Sequence, residues 1–130
     1  MLDTHVWVWS QELPEKLGPK TRRLLGDPKQ TLYVATISTL ELARLVSGGT
    51  IDLTGSLQKW VSRSLDALRC NTLELSHDVA MEAYALPEGL HRDPVDRMLV
   101  ATGRVHHLTL LTADERILRY RHARTRDVRH

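Results

Sequence analysis

Five acidic residues occupy places where carboxylates can do chemistry together. Asp3 closes a first short strand in MLDTH, and Glu41 lies one turn into the helix after TLYVATI, in STLE. Asp93 and Asp96 share the first turn of a long helix, in DPVD, and Asp114 follows LTLLT, in TADE. Open parallel α/β sheets bind ligands outside the carboxyl ends of their strands. Each of these acids stands where a strand has just ended or a helix has just begun, so parallel strands would bring them to one edge. Two carboxylates ~6 Å apart repel by roughly 3 kcal/mol at an effective dielectric of 20, and four of them by on the order of 15 kcal/mol. Helix N-termini return about 0.3–1 kcal/mol each, so protons or cations must supply the rest. Oxygen donors without cysteine, and without a nearby His pair one helical turn apart, select hard ions such as Mg²⁺ or Mn²⁺. Mg²⁺ shares its shell with waters and substrate phosphates. The chemistry expected of such a cluster is phosphodiester hydrolysis by metal-activated water.

Local structure also offers each acid an ordinary task. Ser38-x-x-Glu41 and Thr112-x-x-Glu115 have the form of capping boxes. Asp93 is a good N-cap ahead of Pro94 at the first helical position, and Asp96 sits at the third. Asp114 is a first-turn acid that the helix dipole favours. Asp3 finds no capping partner at Val6. Singly the others read as structural; their coincidence at one edge favours a site.

The elements that must position these residues are short strands alternating with helices. Met1 to Asp3 is the end of a strand with almost nothing ahead of it, as expected of a clipped start. A helix from Thr4 to Trp9 stops before Pro14, and Pro19 to Leu25 is a short helix with Pro at its start and Gly26 at its end. TLYVATI (Thr31 to Ile37) is β-branched and aromatic, hence a strand. Ser38 opens a helix to about Val46. Leu57, Trp60, Val61, Leu65 and Leu68 recur at helical spacing, predicting an amphipathic helix over 56–69. Thr72 to Leu75 is a strand, His77 to Ala85 a helix, Pro94 to Val105 a helix, Leu108 to Leu111 a strand and Ala113 to Tyr120 a helix. Strands separated by helices pair in parallel through crossovers, with helices on both faces. The expected class is therefore α/β.

Composition sets limits. A chain of 130 residues, 42% hydrophobic and 26% charged, is one ordinary soluble domain. No apolar run reaches the ~18 residues of a membrane span, and no apolar signal precedes a cleavage site. A lone cysteine, Cys70, excludes an internal disulfide framework and a Cys-rich zinc site, and reads as a buried inert thiol. A cytoplasmic location is the default. The net charge of +2 is uneven: residues 116–130 hold six arginines against Asp127. Such a basic arm suits a polyanion or an acidic partner. Aromatics are 5% of the chain with no Phe, so a base-stacking platform is not indicated. Trp7, Trp9 and Trp60 read as core or dimer contacts, and His5, His91 and the His106-His107 pair as surface or capping residues.

LDTHVWVW, STLELARL, HRDPVDRMLVATG and LTLLTADERIL, in this order over residues 1 to about 120, resemble the PIN-domain ribonucleases, above all the VapC toxins of bacterial type II toxin–antitoxin modules. The resemblance implies a three-layer α/β/α PIN-like fold with a central parallel sheet of four to five short strands. It implies a nuclease domain over 1–120 and leaves 121–130 as a basic C-terminal arm, an edge strand or disordered, since RYRHARTRDVRH lacks an apolar closing strand. Asp3 matches the first metal ligand, Glu41 the helix glutamate, Asp96 the third acid with Asp93 its companion, Asp114 the fourth acid and Thr112 the polar residue beside it. The implied activity is Mg²⁺- or Mn²⁺-dependent cleavage of RNA. The implied partners are RNA, a VapB-like antitoxin and a second copy of the chain, with no membrane. On this reading Asp3, Asp96 and Asp114 hold the principal ion, Glu41 and Asp93 complete the site or a second one, and Arg92, Arg97 and Arg116 beside the acids are candidates for RNA phosphate contact.

Two other functions compete. A receiver-like signalling domain also clusters acids, but it needs a Lys nearby, and Lys16, Lys20, Lys29 and Lys59 all lie far from the acids in sequence. A catalytically inactive PIN-like RNA-binding module using the basic arm remains distinct in behaviour. It predicts salt-sensitive RNA binding that persists in chelator and fails on deletion of residues 119–130, whereas a metal nuclease loses cleavage in chelator. RNA gels with Mg²⁺, Mn²⁺ or EDTA separate the two.

Overall fold

The computed structural model describes every residue from Met1 to His130. Its elements are α1 (Thr4–Glu12), a 3-10 turn (Pro14–Lys16), α2 (Pro19–Gly26), β1 (Tyr33–Ala35), α3 (Thr36–Ser47), α4 (Leu57–Leu68), β2 (Asn71–Leu73), α5 (His77–Ala83), α6 (Pro94–Val105), β3 (Leu110–Thr112), α7 (Glu115–Leu118) and β4 (Thr125–Asp127). β1 pairs with β2 and β3 with β4, both in parallel. Leu2 joins the two pairs, bridging in parallel to Val34 on one side and Leu111 on the other. The Leu2 N–H donates to the Tyr33 carbonyl at 3.0 Å, and the Leu111 N–H to the Met1 carbonyl at 2.8 Å. The order is therefore β2, β1, Leu2, β3, β4. The chain winds outward from Leu2 first to one side and then to the other, which puts a topological switch point at its centre.

Side chains alternate across this sheet. Leu2, Val34, Leu111 and Val128 meet Val6 and Trp7 of α1, Leu42 of α3 and Trp60 of α4. Met1, Ala35 and Leu110 meet Leu99 and Val100 of α6 together with Ile117 and Tyr120. Both faces are covered by helices, giving the three-layer α/β/α arrangement. The Trp7 and Trp60 rings pack 5.2 Å apart, and each indole N–H is satisfied: Trp7 donates to Ser64 Oγ at 2.9 Å and Trp60 to Glu12 Oε1 at 2.7 Å. All of this ties α4 to α1. No helix is long and apolar enough to cross a membrane.

The strands are shorter than their β-branched runs suggest. TLYVATI yields only Tyr33–Ala35, and α3 begins at Thr36 rather than Ser38. A strand extends only as far as its neighbours can pair. β1 has Leu73 opposite Ala35 and nothing beyond, so the next residues satisfy their backbone in a helix instead. The last ten residues hold β4, which adds to β3 in register. Its end is locked by backbone contacts, with the Gly18 N–H donating to the Val128 carbonyl at 2.9 Å and the Thr21 N–H to the His130 carbonyl at 3.0 Å. A Cβ at position 18 would lie 2.1 Å from the His130 backbone, so this approach requires glycine. Val128, fully buried immediately after β4, supplies the apolar anchor of this otherwise polar end of the chain.

Because Leu2 is the whole of the central strand, Leu2→Ala should lower stability by about 2–5 kcal/mol. A reduced urea midpoint at unchanged slope checks this; an unchanged midpoint contradicts the central role.

Candidate functional site

Four of the five acids owe their places to element ends, and Glu41 lies within α3. Asp3 follows the Leu2 bridge and caps α1, accepting the Val6 N–H at 2.8 Å. This corrects the reading that Asp3 lacks a capping partner at Val6, because the partner is the backbone N–H and needs no particular side chain. The other Asp3 oxygen accepts the Thr112 hydroxyl. Thr112 Oγ in turn accepts the Asp114 N–H at 3.0 Å, so Thr112 links the first acid to the fourth. Asp114 itself caps α7, accepting the Arg116 N–H at 2.8 Å, in place of a box built on Thr112 and Glu115. Asp93 caps α6, accepting the Asp96 N–H at 3.0 Å. The Ser38–Glu41 box does not form. Ala35 precedes α3 without a side-chain cap, and Ser38 lies inside the helix, fully buried, its hydroxyl without a partner. Glu41 is thereby left without a capping duty.

Folding brings the five acids together. Asp3, Glu41, Asp93, Asp96 and Asp114 line one crevice of about 330 Å³, with Arg116 at its rim and His5 and Trp9 also on its wall. Asp3 is 8% exposed, and burial pushes its carboxyl up to about 6 against the opposing pull of the Thr112 and Val6 hydrogen bonds. The neighbouring Asp96 charge adds to the rise. Burial raises Asp96 as well, with His91 opposing and the Asp93 and Asp114 charges reinforcing. The chain supplies little positive charge in return. The Arg116 guanidinium, 60% exposed, reaches 3.6 Å from Asp114 and 3.9 Å from Asp96.

The donors are all oxygens, one buried and two raised by their surroundings, and no lysine lines the crevice. This chemistry fits a hard divalent cation. No three Asp, Glu, His or Cys side chains converge at ligating distance. Mg²⁺ is compatible with that, because it takes one or two carboxylates and several waters rather than an all-protein cage.

The remaining candidates separate. His91, read as a surface or capping residue, places Nε2 2.6 Å from Asp96 Oδ2. Its place in HRDPVD, two residues before Asp93, was the available signal. Arg97 turns away from the crevice: its guanidinium donates to the Ala83 carbonyl at 2.9 Å and to the Leu90 and His91 carbonyls at 3.4 Å, over the Tyr84 ring. It is occupied in holding the 83–91 segment and is not free for phosphate. Arg92 is exposed and outside the crevice lining. Cys70 is half-buried, and burial pushes its thiol up to about 11, as suits an inert thiol. Thr4, in the crevice wall, is buried with an unpartnered hydroxyl, a feature no spacing in the sequence signals.

Residues 1–123 match the family model of the PIN domain. Ribonuclease VapC22 of Mycobacterium tuberculosis (strain ATCC 25618 / H37Rv) is 33% identical over 124 residues, covering 95% of this chain and 93% of the relative. Among solved structures, VapBC2 from Rickettsia felis bound to a DNA fragment from its promoter matches with a TM-score of 0.69 at 19% identity, over 97% of this chain and 96% of that one. A toxin–antitoxin complex from Klebsiella pneumoniae matches with a TM-score of 0.62 at 20% identity, over 97% and 94%. At those identities the two structures speak for the fold alone.

The titration of Asp3 should be visible in stability. Its carboxyl titrates from 3.8 in the unfolded chain to about 6 in the folded one, so the folded state binds the extra proton between these values. The associated stability is fully present below 3.8 and is lost as pH rises through about 6, by on the order of 3 kcal/mol. Asp3→Asn keeps an oxygen for the Val6 N–H and should flatten the fall. Urea unfolding in chelator across this range compares the two; equal pH slopes would contradict the burial of a reluctant charge.

Proposed function

The chain belongs to the PIN-domain family, and from that premise we propose that it is a metal-dependent endoribonuclease toxin, hydrolysing RNA phosphodiester bonds and neutralised by a VapB-like antitoxin. The observation that carries this reading is the convergence of five carboxylates on one crevice around the buried Asp3. The relative named a ribonuclease and the neighbours described as toxin–antitoxin assemblies support the substrate and the partner. Apolar surface left exposed at Met81 and Tyr84, three residues apart at the end of α5, supports a homodimer contact.

Asp3, Asp96 and Asp114 would hold the principal Mg²⁺ or Mn²⁺, one or two of them directly and the rest through its waters, with Glu41 and Asp93 completing the site or a second one. The cation, when bound, supplies charge neutralisation of the phosphodiester and a lowered pKa for water. The protein's own groups do the positioning. Thr112 holds one Asp3 oxygen and the Asp114 backbone at once, and His91 fixes the direction of Asp96. Arg116, exposed at the rim beside Asp96 and Asp114, is placed to meet a substrate phosphate. Trp9 and Leu99 give the crevice part of an apolar wall.

Cleavage of RNA should require Mg²⁺ or Mn²⁺, stop in EDTA, and fall by about 10²-fold or more in Asp96→Ala, on the scale of removing a preorganised electrostatic partner. Asp3→Ala and Glu41→Ala should behave alike, with the folded state retained by circular dichroism. Undiminished cutting by Asp96→Ala, or in EDTA, would defeat the assignment.

A further inference from the structure

The acid crevice lies at the N-terminal end of α6; a larger cavity of about 570 Å³ lies at the other end. Arg104, Arg121, Arg124, His107 and His122 line it, with Glu82 as the single acid. With both imidazoles neutral it carries a formal +2. Arg104 is already spoken for, donating to Glu82 Oε1 at 3.0 Å and to the His122 carbonyl at 2.5 Å. It acts as a strut between α5, α6 and the turn after α7. Arg124 gives one N–H to the His107 carbonyl at 3.3 Å, leaving the rest of its fork free. Arg121 is exposed and makes no hydrogen bond or ion pair within the chain.

These arginines are carried by a built wall rather than a loose arm. Tyr120, buried at 4% exposure, donates its hydroxyl to the Pro87 carbonyl at 2.6 Å. The Arg124 carbonyl accepts the Leu110 N–H at 2.9 Å. Between these anchors the turn bearing Arg121 and His122 is held over the end of α6. His107 has φ 55°, the left-handed position that ends many helices and that ordinarily takes glycine. The His107 and Leu108 N–H groups close the end of α6 on the Arg104 and Gly103 carbonyls at 3.3 and 2.8 Å, which fixes the cavity wall.

We propose that this cavity anchors backbone phosphates of the RNA substrate at a distance from the acid crevice, a deepening that rests on the nuclease reading above. Five carboxylates against one Arg116 repel a polyanion, so the strand needs its attraction elsewhere. The two cavities lie at opposite ends of α6, a helix of 12 residues and so about 18 Å long, within the span of a short RNA segment. Guanidinium forks suit phosphate oxygens, and such contacts give affinity independent of sequence.

Binding of a labelled single-stranded RNA to the full chain, in an Asp96→Asn background that removes cutting, tests the site. Arg121→Gln with Arg124→Gln should weaken binding about tenfold or more at moderate salt. It should also lower the slope of log affinity against log salt by about 1.4, for two lost contacts at about 0.7 each. Arg22→Gln with Arg23→Gln removes the same charge from exposed positions of α2 and should leave binding within about twofold. An unchanged affinity and slope in the first variant, or an equal loss in the second, would overturn the site. Displacement of the RNA by oligoglutamate of matched charge at equal concentration would also overturn it, in favour of an acidic protein segment. A wild-type chain that binds through Arg121 and Arg124 but cuts no RNA would refute the nuclease reading alone. One that cuts RNA while the first variant binds undiminished would refute the anchoring site alone.

Discussion

A carboxylate is held almost out of water at the point where the central strand stops, and much of the molecule is arranged to keep it there. Asp3 follows Leu2, the single residue through which both halves of the sheet are joined. Doubly wound order makes that place a crevice, because the chain departs from it in opposite directions. Moving a charge into such surroundings is opposed by lost hydration. The fold answers with two hydrogen bonds, from the Val6 N–H and the Thr112 hydroxyl. They do not fully compensate, and the carboxyl remains pushed up to about 6. The residual deficit leaves Asp3 receptive to a proton.

Thr112 shows how closely support and site are interwoven. It ends β3, accepts the Asp114 N–H at 3.0 Å, donates to Asp3, and presents its carbonyl to the Val128 N–H of the edge strand at 3.1 Å. The last strand is therefore coupled to the first acid through one residue. His91 plays the corresponding part for Asp96 from outside α6.

The charge of the molecule is divided along α6. Carboxylates gather at its N-terminal end, where backbone N–H groups favour them, and arginines at its C-terminal end. A net charge of +2 conceals this. For a polyanion the two ends have opposite electrostatic character.

The acids themselves were legible in the sequence because chain direction does the placing. In a parallel sheet every strand delivers its C-terminal residues to the same edge, so an acid just after a strand needs no further information to be put there. Asp3 and Asp114, each within two residues of a strand end, are determined in that way, as is the α/β class that follows from alternation of strands and helices; Glu41 inside α3, and Asp93 and Asp96 at the start of α6 with α5 between them and β2, reach the same edge through helix packing. Side-chain partnership is not determined so. Arg97 looks like a phosphate ligand in sequence and is a brace for the 83–91 backbone in the structure. Ser38 looks like a cap and is a buried hydroxyl inside a helix. His91 bonds Asp96, and Arg104, Arg121 and Arg124 come to share a cavity. Those outcomes depend on where long side chains turn and which distant segments pack beside them, and a linear pattern carries no record of either.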